Sequence, residues 1–229
     1  MKGAFKDWQS NSHIINLSYD DVPYVKPVAF VYLLDLDNRS NPASARAFAS
    51  ASYGLRLTGG LDLGEQWKLT YGGSYAFQTD YGKNPVDYQA HYTKLDLGLG
   101  HSSLGSVAAG WEMLGSDGGK ARFVTPLATL HKFNGWADVF LGNGGTSGLR
   151  DFYAVVSPKL PWELKTQLVY HHFTSDNKAT ALGNEFDGSL GRSFGKYLSL
   201  LFKAAYFNPS DGSPRPNVYR IWFDVTVKI

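Results

Sequence analysis

Residues 219–229 read YRIWFDVTVKI and alternate without a fault. Tyr219, Ile221, Phe223, Val225, Val227 and Ile229 fall on one side; Arg220, Trp222, Asp224, Thr226 and Lys228 fall on the other. Successive side chains of a strand point to opposite faces, so the segment predicts a strand with one apolar and one mixed polar face. In a soluble sandwich the apolar face meets a second sheet. In a membrane barrel it meets lipid. The fold turns on which of these environments the rest of the chain supports.

The alternation recurs upstream. Val28, Phe30, Tyr32, Leu34 and Leu36 oppose Ala29, Val31, Leu33, Asp35 and Asp37. Leu69, Tyr71, Tyr75 and Phe77 oppose Lys68, Thr70, Ser74 and Gln78, and Leu95, Leu97 and Leu99 oppose Lys94 and Asp96. A period of two explains these runs and helical spacing does not. Twelve strands are predicted, near residues 2–9, 13–21, 26–37, 51–63, 66–79, 90–102, 105–115, 149–159, 162–174, 185–194, 196–208 and 218–229.

The connections then sort by length. Those at 21–25, 64–65, 103–104, 160–161 and 195 are tight. Those at 38–50, 80–89, 116–148, 175–184 and 209–217 are long and rich in Gly, Asn, Ser, Pro and Asp; the short link 10–12 falls on their side. Short turns at one end and long loops at the other mark outer-membrane barrels, and strands of this length can cross a bilayer when tilted. The expectation is an all-β fold: one transmembrane antiparallel up-and-down β-barrel over residues 1–229, of about twelve strands. It has short periplasmic turns and long extracellular loops and sits in the bacterial outer membrane. Twelve is even, so both termini fall on the short-turn side, and closure pairs the last strand with residues 2–8.

Composition agrees. Aromatic residues make up 15% and charged residues only 18%, while 25 glycines suit many turns. The absence of cysteine excludes a disulfide framework or thiolate metal site. A net charge of +2 is too small to indicate nucleic acid as a partner. No run approaches the roughly 20 apolar residues of a membrane helix. The opening MKGAFKDWQS lacks the apolar core of a signal peptide, so an exported chain is expected here in its mature form.

The apolar faces are expected to look out at membrane lipid, with Tyr19, Tyr53, Trp67, Tyr75, Trp111, Tyr206 and Tyr219 as an interfacial girdle. Aromatic rings also favour strands in general, so no single ring decides this. The opposite faces supply the candidate pore lining. It includes Lys6, Arg56, Lys68, Lys94, Lys165, Lys203, Arg220 and Lys228 against Asp35, Asp37, Asp96, Glu112, Asp151, Glu185, Asp187 and Asp224. Such a balanced set either pairs across the interior or lines a wet pore. Val31, Leu33, Tyr92, Phe207 and Trp222 hint at partial filling.

Segment 116–148 is too apolar for a freely solvated loop, with Phe123, Val124, Leu127, Leu130, Phe133, Trp136, Val139 and Phe140. It predicts a short helix near 130–140 and packing on the rim or in the lumen. As a constriction loop it would present Arg122, Phe123, His131, Lys132, Phe133 and Trp136, with Lys120 nearby.

TPLATLHKFNGWADVFL (125–141), GLRDFYAVV (148–156) and LVYHHF (168–173) resemble the C-terminal part of bacterial alginate export family outer-membrane proteins. So do KGAFKDWQSNSHIINLSY (2–19), YLLDLDN (32–38) and YAFQTDYGKNPVDY (75–88). The resemblance implies an outer-membrane barrel that passes an anionic polysaccharide or related solutes through a basic lumen restricted by loops. Members of that family are usually longer, and their lumen is more basic than the balanced set here. The terminal strand also resembles the signal by which the outer-membrane assembly machinery recognises barrels, although it ends in Ile229 where Phe is usual.

Nothing points to catalysis. His171 and His172 are adjacent and face opposite ways; His13, His91, His101 and His131 are scattered, and no GxSxG or HExxH motif occurs. No cofactor, metal or catalytic residue is expected. The leading expectation is a passive channel for hydrophilic solutes, anionic saccharides among them. The alternatives are a non-conducting structural barrel, natural or engineered, with a plugged interior, and more remotely a barrel hydrolase or a soluble β-sandwich.

Overall fold

The computed structural model describes residues 8–38, 41–126, 128 and 133–228. Among the described residues eleven long strands form one antiparallel sheet in sequence order. They are β1 (Trp8–Ser18), β2 (Val25–Asn38), β3 (Ser50–Leu63), β4 (Trp67–Asp80), β5 (Gln89–His101), β6 (Gly105–Leu114), β9 (Leu149–Pro158), β10 (Lys165–Thr174), β11 (Ala181–Phe194), β12 (Leu198–Pro209) and β13 (Val218–Val227). Between β6 and β9 lies a small ribbon, β7 (Ser116–Asp117) with β8 (Ala121–Arg122), and one short helix, α1 (Pro42–Arg46), follows β2.

The connections sort by length only in part: 19–24 and 159–164, expected tight, and 175–180, expected long, are each six residues. Residues 64–66, 102–104 and 195–197 turn tightly, whereas 115–148 is the longest link. Gly64 and Gly195 adopt φ of 79° and 59°, the left-handed backbone such turns require and glycine enters without a Cβ clash.

The count differs at the N-terminal end. The predicted strands 2–9 and 13–21 meet in a single strand, because residues 10–12 continue the ladder as Ser10↔Leu36, Asn11↔Asp35 and Ser12↔Leu34. Ser and Asn favour turns locally, but the open edge of β2 supplies a partner for each backbone group, and the ladder overrides propensity. Within the described residues, β1 begins at the long-loop end, with Trp8 opposite Asn38. Residues 2–7, expected to pair with the last strand, lie outside the described residues.

One face of the sheet carries segment 116–148 and is called inner. The other presents Leu55, Leu57, Leu95, Leu97, Val107, Phe152, Leu168, Phe202, Ile221 and Phe223, all well exposed. Rings meet across strands on this outer face: Tyr170 lies tilted against Phe186 at 5.1 Å, and Tyr206 stacks on Tyr219 at 4.5 Å. Soluble proteins rarely expose so continuous an apolar surface, and lipid accepts it.

β2 corrects one assignment. Its apolar row faces inward: Tyr32 is opposite Ser52 and Phe30 opposite Gly54, and both positions lie under the loop. The Phe30 ring occupies the space that a Cβ on Gly54 would need. Val31 and Leu33, read as inward, consequently face out, as do Asp35 and Asp37.

Candidate functional site: the loop-covered inner face

The described part of segment 116–148 folds back over the sheet and is held by three sets of contacts. The first is apolar. Phe123, Ala137 and Phe140 of the loop join Ala76, Tyr88, Ala90, Leu114, Leu149, Phe173, Ala205 and Phe207 in one buried cluster. Phe140 lies 4.4 Å from the Phe173 ring and 5.6 Å from Phe207.

The second set starts at Gln78, a buried amide on β4. Its Nε2 donates to Ser52 Oγ (2.8 Å) and to the Val124 carbonyl (2.9 Å). Its Oε1 accepts from Val124 N–H (2.7 Å) and the Tyr88 hydroxyl (3.0 Å). A neutral amide is both donor and acceptor, so one side chain satisfies both backbone groups of Val124. Burial, with Asp80 nearby, pushes the Tyr88 phenol above its ordinary value, so it remains a donor; burial likewise lowers the Arg122 guanidinium on β8.

The third set is ionic. Glu185 Oε1 accepts from Ala137 N–H at 2.6 Å, and Asp187 Oδ2 from Trp136 N–H at 3.2 Å. Asn134 Nδ2 donates to Glu112 Oε2 at 3.3 Å, while Tyr92 donates to Oε1 at 2.6 Å. His171 joins the row, with Nδ1 2.9 Å from Asp151 and Nε2 3.6 Å from Asp187. Arg220 pairs with Asp138 at 2.8 Å, and Lys203 stands over the Trp136 ring at 4.6 Å. Carboxylates that accept buried backbone N–H groups are the stronger class of hydrogen bond.

These contacts explain why the described part of 130–140 is not the expected helix. Asn134, Gly135 and Asp138 have φ of 59°, 85° and 56°, which interrupts any helical run and turns the N–H groups of Trp136 and Ala137 toward β11. A Cβ on Gly135 would lie 2.5 Å from the Glu185 carboxylate oxygens, so the close approach also demands glycine.

By register, Arg56, Lys68, Lys94, Asp96, Glu112, Asp151, Lys165, Glu185, Asp187, Lys203, Arg220 and Asp224 share the inner face. They do not form one balanced lining. Glu112, Asp151, Glu185 and Asp187 are buried beneath the loop. Arg56, Lys68 and Lys165 are exposed toward the short turns, where Asp62 and Asp224 are their acidic company. Lys94 sits 3.9 Å from Asp96 and 5.5 Å from the Tyr153 ring, and Tyr153 also donates to Asp96.

Asp35 and Asp37 leave the set. Asp37 sits at the long-loop rim, bound by Arg46 at 3.0 Å and Lys83 at 3.4 Å. Lys228 follows β13, its N–H donating to the Tyr197 carbonyl at 2.8 Å. Lys6, His131 and Lys132, with Leu127 and Leu130, lie outside the described residues. Of the remaining loop candidates, Phe123 is buried, Trp136 and Arg122 are half-buried and Phe133 is exposed. Sequence reasoning passed over Gln78, Asn134, Gly135 and the inward role of His171. An amide at an inward strand position just before a long loop was the available signal.

The fold is that of outer-membrane β-barrel proteins. The chain is similar to Pseudomonas aeruginosa OpdK, solved with vanillate, over 97% of its own length and 60% of that chain, at 15% identity and a TM-score of 0.69. It is similar also to the Pseudomonas aeruginosa outer membrane protein OprD (97% and 62%, 11% identity, TM-score 0.60) and to Acinetobacter baumannii OccAB2 (93% and 55%, 15%, TM-score 0.58). The chain thus spans about three fifths of the length of these structures. No protein-family model and no curated protein matches it. None of these three is named an alginate exporter, and the likeness stops at the outer-membrane barrel fold.

Proposed function

We propose that the chain forms the wall and the constriction of a passive outer-membrane channel for small hydrophilic solutes, with a preference for anions. The carrying observation is the sorting of charge on the inner face. The sequence offers eight cations and eight acids, but four acids are buried under the loop and bonded to it or to His171. Exposed Arg56, Lys68 and Lys165 remain to set the local field, which draws anions and raises their local concentration. Long loops would face the exterior and short turns the periplasm.

The solute class is a carboxylate-bearing small molecule, sugar acids included. The alginate resemblance of 125–141 supports the saccharide, and a structural neighbour solved with vanillate supports a small organic anion. Membrane lipid is the surrounding partner, and the outer-membrane assembly machinery is the proposed route of insertion. Among the described residues the His171–Asp151 pair is turned to the buried acids, and no hydroxyl or thiol nucleophile is bonded to it.

A second reading is a plugged, non-conducting barrel, favoured by the ring cluster Phe123, Phe140, Phe173 and Phe207. Planar-bilayer recording separates the two. Discrete currents that rise on deletion of residues 123–140 support the channel with its constriction. Currents unchanged by the deletion remove the loop from the conduction path, and silence from a folded barrel supports the plug.

A further inference from the structure

The outward rows of the sheet are almost free of charge. Among the described residues of the long strands, register places Asp35, Asp37, Arg150 and Arg192 there and no other acid, lysine or arginine. Three of these lie toward the long connections, where protein surrounds them. Asp37 is bound by Arg46 and Lys83, Arg150 pairs with Asp176 at 2.8 Å, and Asp35 lies against Gly82.

Arg192 is different. It lies two residues before the end of β11, where Ser193 pairs with Ser199 and Phe194 with Leu198 ahead of the turn at 195–197. Its cross-strand partner is Leu200, and Leu190 and Phe194 flank it on the same face. Among the described residues it forms no ion pair, and its Nε is buried without a hydrogen-bond partner. The guanidinium lies 4.9 Å from the centroid of the Phe194 ring, a contact that orients the charge without neutralising it. A cation on a lipid face is costly at depth, and the cost falls toward the interface, where lipid phosphates come within reach.

The adjoining turn adds charge of the same sign. Lys196 Nζ stands 5.0 Å from the Tyr197 ring, and the N–H of Lys228 donates to the Tyr197 carbonyl at 2.8 Å. Lys196, Tyr197 and Lys228 are exposed. No acid occurs between residues 188 and 210 to offset these cations from within the hairpin.

We propose that Arg192, with Phe194 and Lys196, binds the phosphate of an anionic phospholipid in the leaflet at the short-turn end of the wall. The planar guanidinium donates parallel N–H groups to two phosphate oxygens, and Lys196 adds a point charge beside them. Phosphatidylglycerol fits because it has no ammonium of its own; in phosphatidylcholine the headgroup cation competes for the same phosphate. The site uses the outer face only. Arg192 points away from Lys165 and Lys203 on the inner face, so conduction and lipid binding fail separately.

Native mass spectrometry of the folded chain released from dodecyl maltoside reads the site directly. With phosphatidylglycerol added, the wild type should retain one lipid, and Arg192→Gln should bind it at least about tenfold more weakly, as expected for lost charge-assisted hydrogen bonds. Lys178→Gln removes an equal charge at an exposed position toward the long connections and should bind as the wild type does. Undiminished binding by Arg192→Gln overturns the proposal. Equal losses in both variants also overturn it, since they would reflect net charge alone.

A second measurement uses the wild type alone and so is independent of how any variant folds. Phosphatidylglycerol should bind at least about tenfold more tightly than phosphatidylcholine, given two cations at the membrane surface. Glycerol 3-phosphate, which carries the phosphate without the acyl chains, should not displace it. Equal affinity for the two lipids, or displacement by glycerol 3-phosphate, overturns the proposal.

Discussion

Toward the long connections the inner face is a packed interior, with Phe173 and Phe207 fully buried and a row of carboxylates bonded to the loop above them. Toward the short turns the same strands present Gly60, Gly72, Ser189, Ser193 and Ser199, and Arg56, Lys68 and Lys165 stand exposed. One half behaves like the core of a soluble domain and the other like a wet wall. The difference lies in the loop and not in the strands. Segment 116–148 brings its own apolar groups and backbone donors to the upper half, and desolvates the acids it meets there. Charges beyond its reach stay in water.

The sharpest way to break this comparison is to truncate one apolar side chain in each half. Phe173→Ala should cost about 3–5 kcal/mol, the range for a buried aromatic, whereas Leu201→Ala, partly exposed on the inner face of β12, should cost under about 1 kcal/mol. Urea unfolding in vesicles, followed by tryptophan fluorescence, measures both. Similar losses would mean that the two halves are equally packed.

Next in size is the loop's ionic anchor. Glu185→Ala strands the buried N–H of Ala137 without its acceptor, which should cost about 1–3 kcal/mol. Amides of residues 133–143 should then exchange faster while those of β4 and β5 keep their rates. Faster exchange throughout the sheet would show that the carboxylate supports the wall and not the loop.

Tyr88→Phe should cost about 1 kcal/mol through its lost bond to Gln78. It also has a pH signature. Because burial raises the folded-state value of the phenol, its contribution is complete below the unfolded value near 10 and is lost as pH rises beyond it. The variant should therefore lose less stability than the wild type between about pH 10 and 12. Parallel alkaline curves would remove Tyr88 from the effect.

Smallest in stability is Lys165→Glu, expected within about 0.5 kcal/mol of the wild type because the side chain is exposed. Its readout is selectivity. In planar bilayers, the reversal potential under a potassium chloride gradient should shift toward cations, more at low salt than at high salt. An unchanged potential would place Lys165 away from the ion path.

Much of the wall was legible in the sequence. The outward rows of β4, β5 and β13, such as Leu95–Leu97–Leu99 and Tyr219–Ile221–Phe223, fall where period two puts them. Polar residues at 10–12 were read as a turn, since local propensity carries no knowledge of the β2 edge beside them. β2 itself was read inside out. Its inner row is as apolar as an outer one because it packs under a loop that approaches from far along the chain, and alternation alone does not say which side is which. The constriction candidates were found by composition, but the helix expected there gave way to left-handed residues that serve distant carboxylates.

The sequence by itself determined a meander of long amphipathic strands, with charge confined to one face and to the rims. Those properties are local: each follows from two-residue periodicity or from turn chemistry. Only the tertiary structure decided which face of β2 is inner and which acids the loop removes from water. Each of these depends on backbone groups and charges meeting partners tens of residues away, and desolvation at those meetings separates a buried acid from an exposed cation.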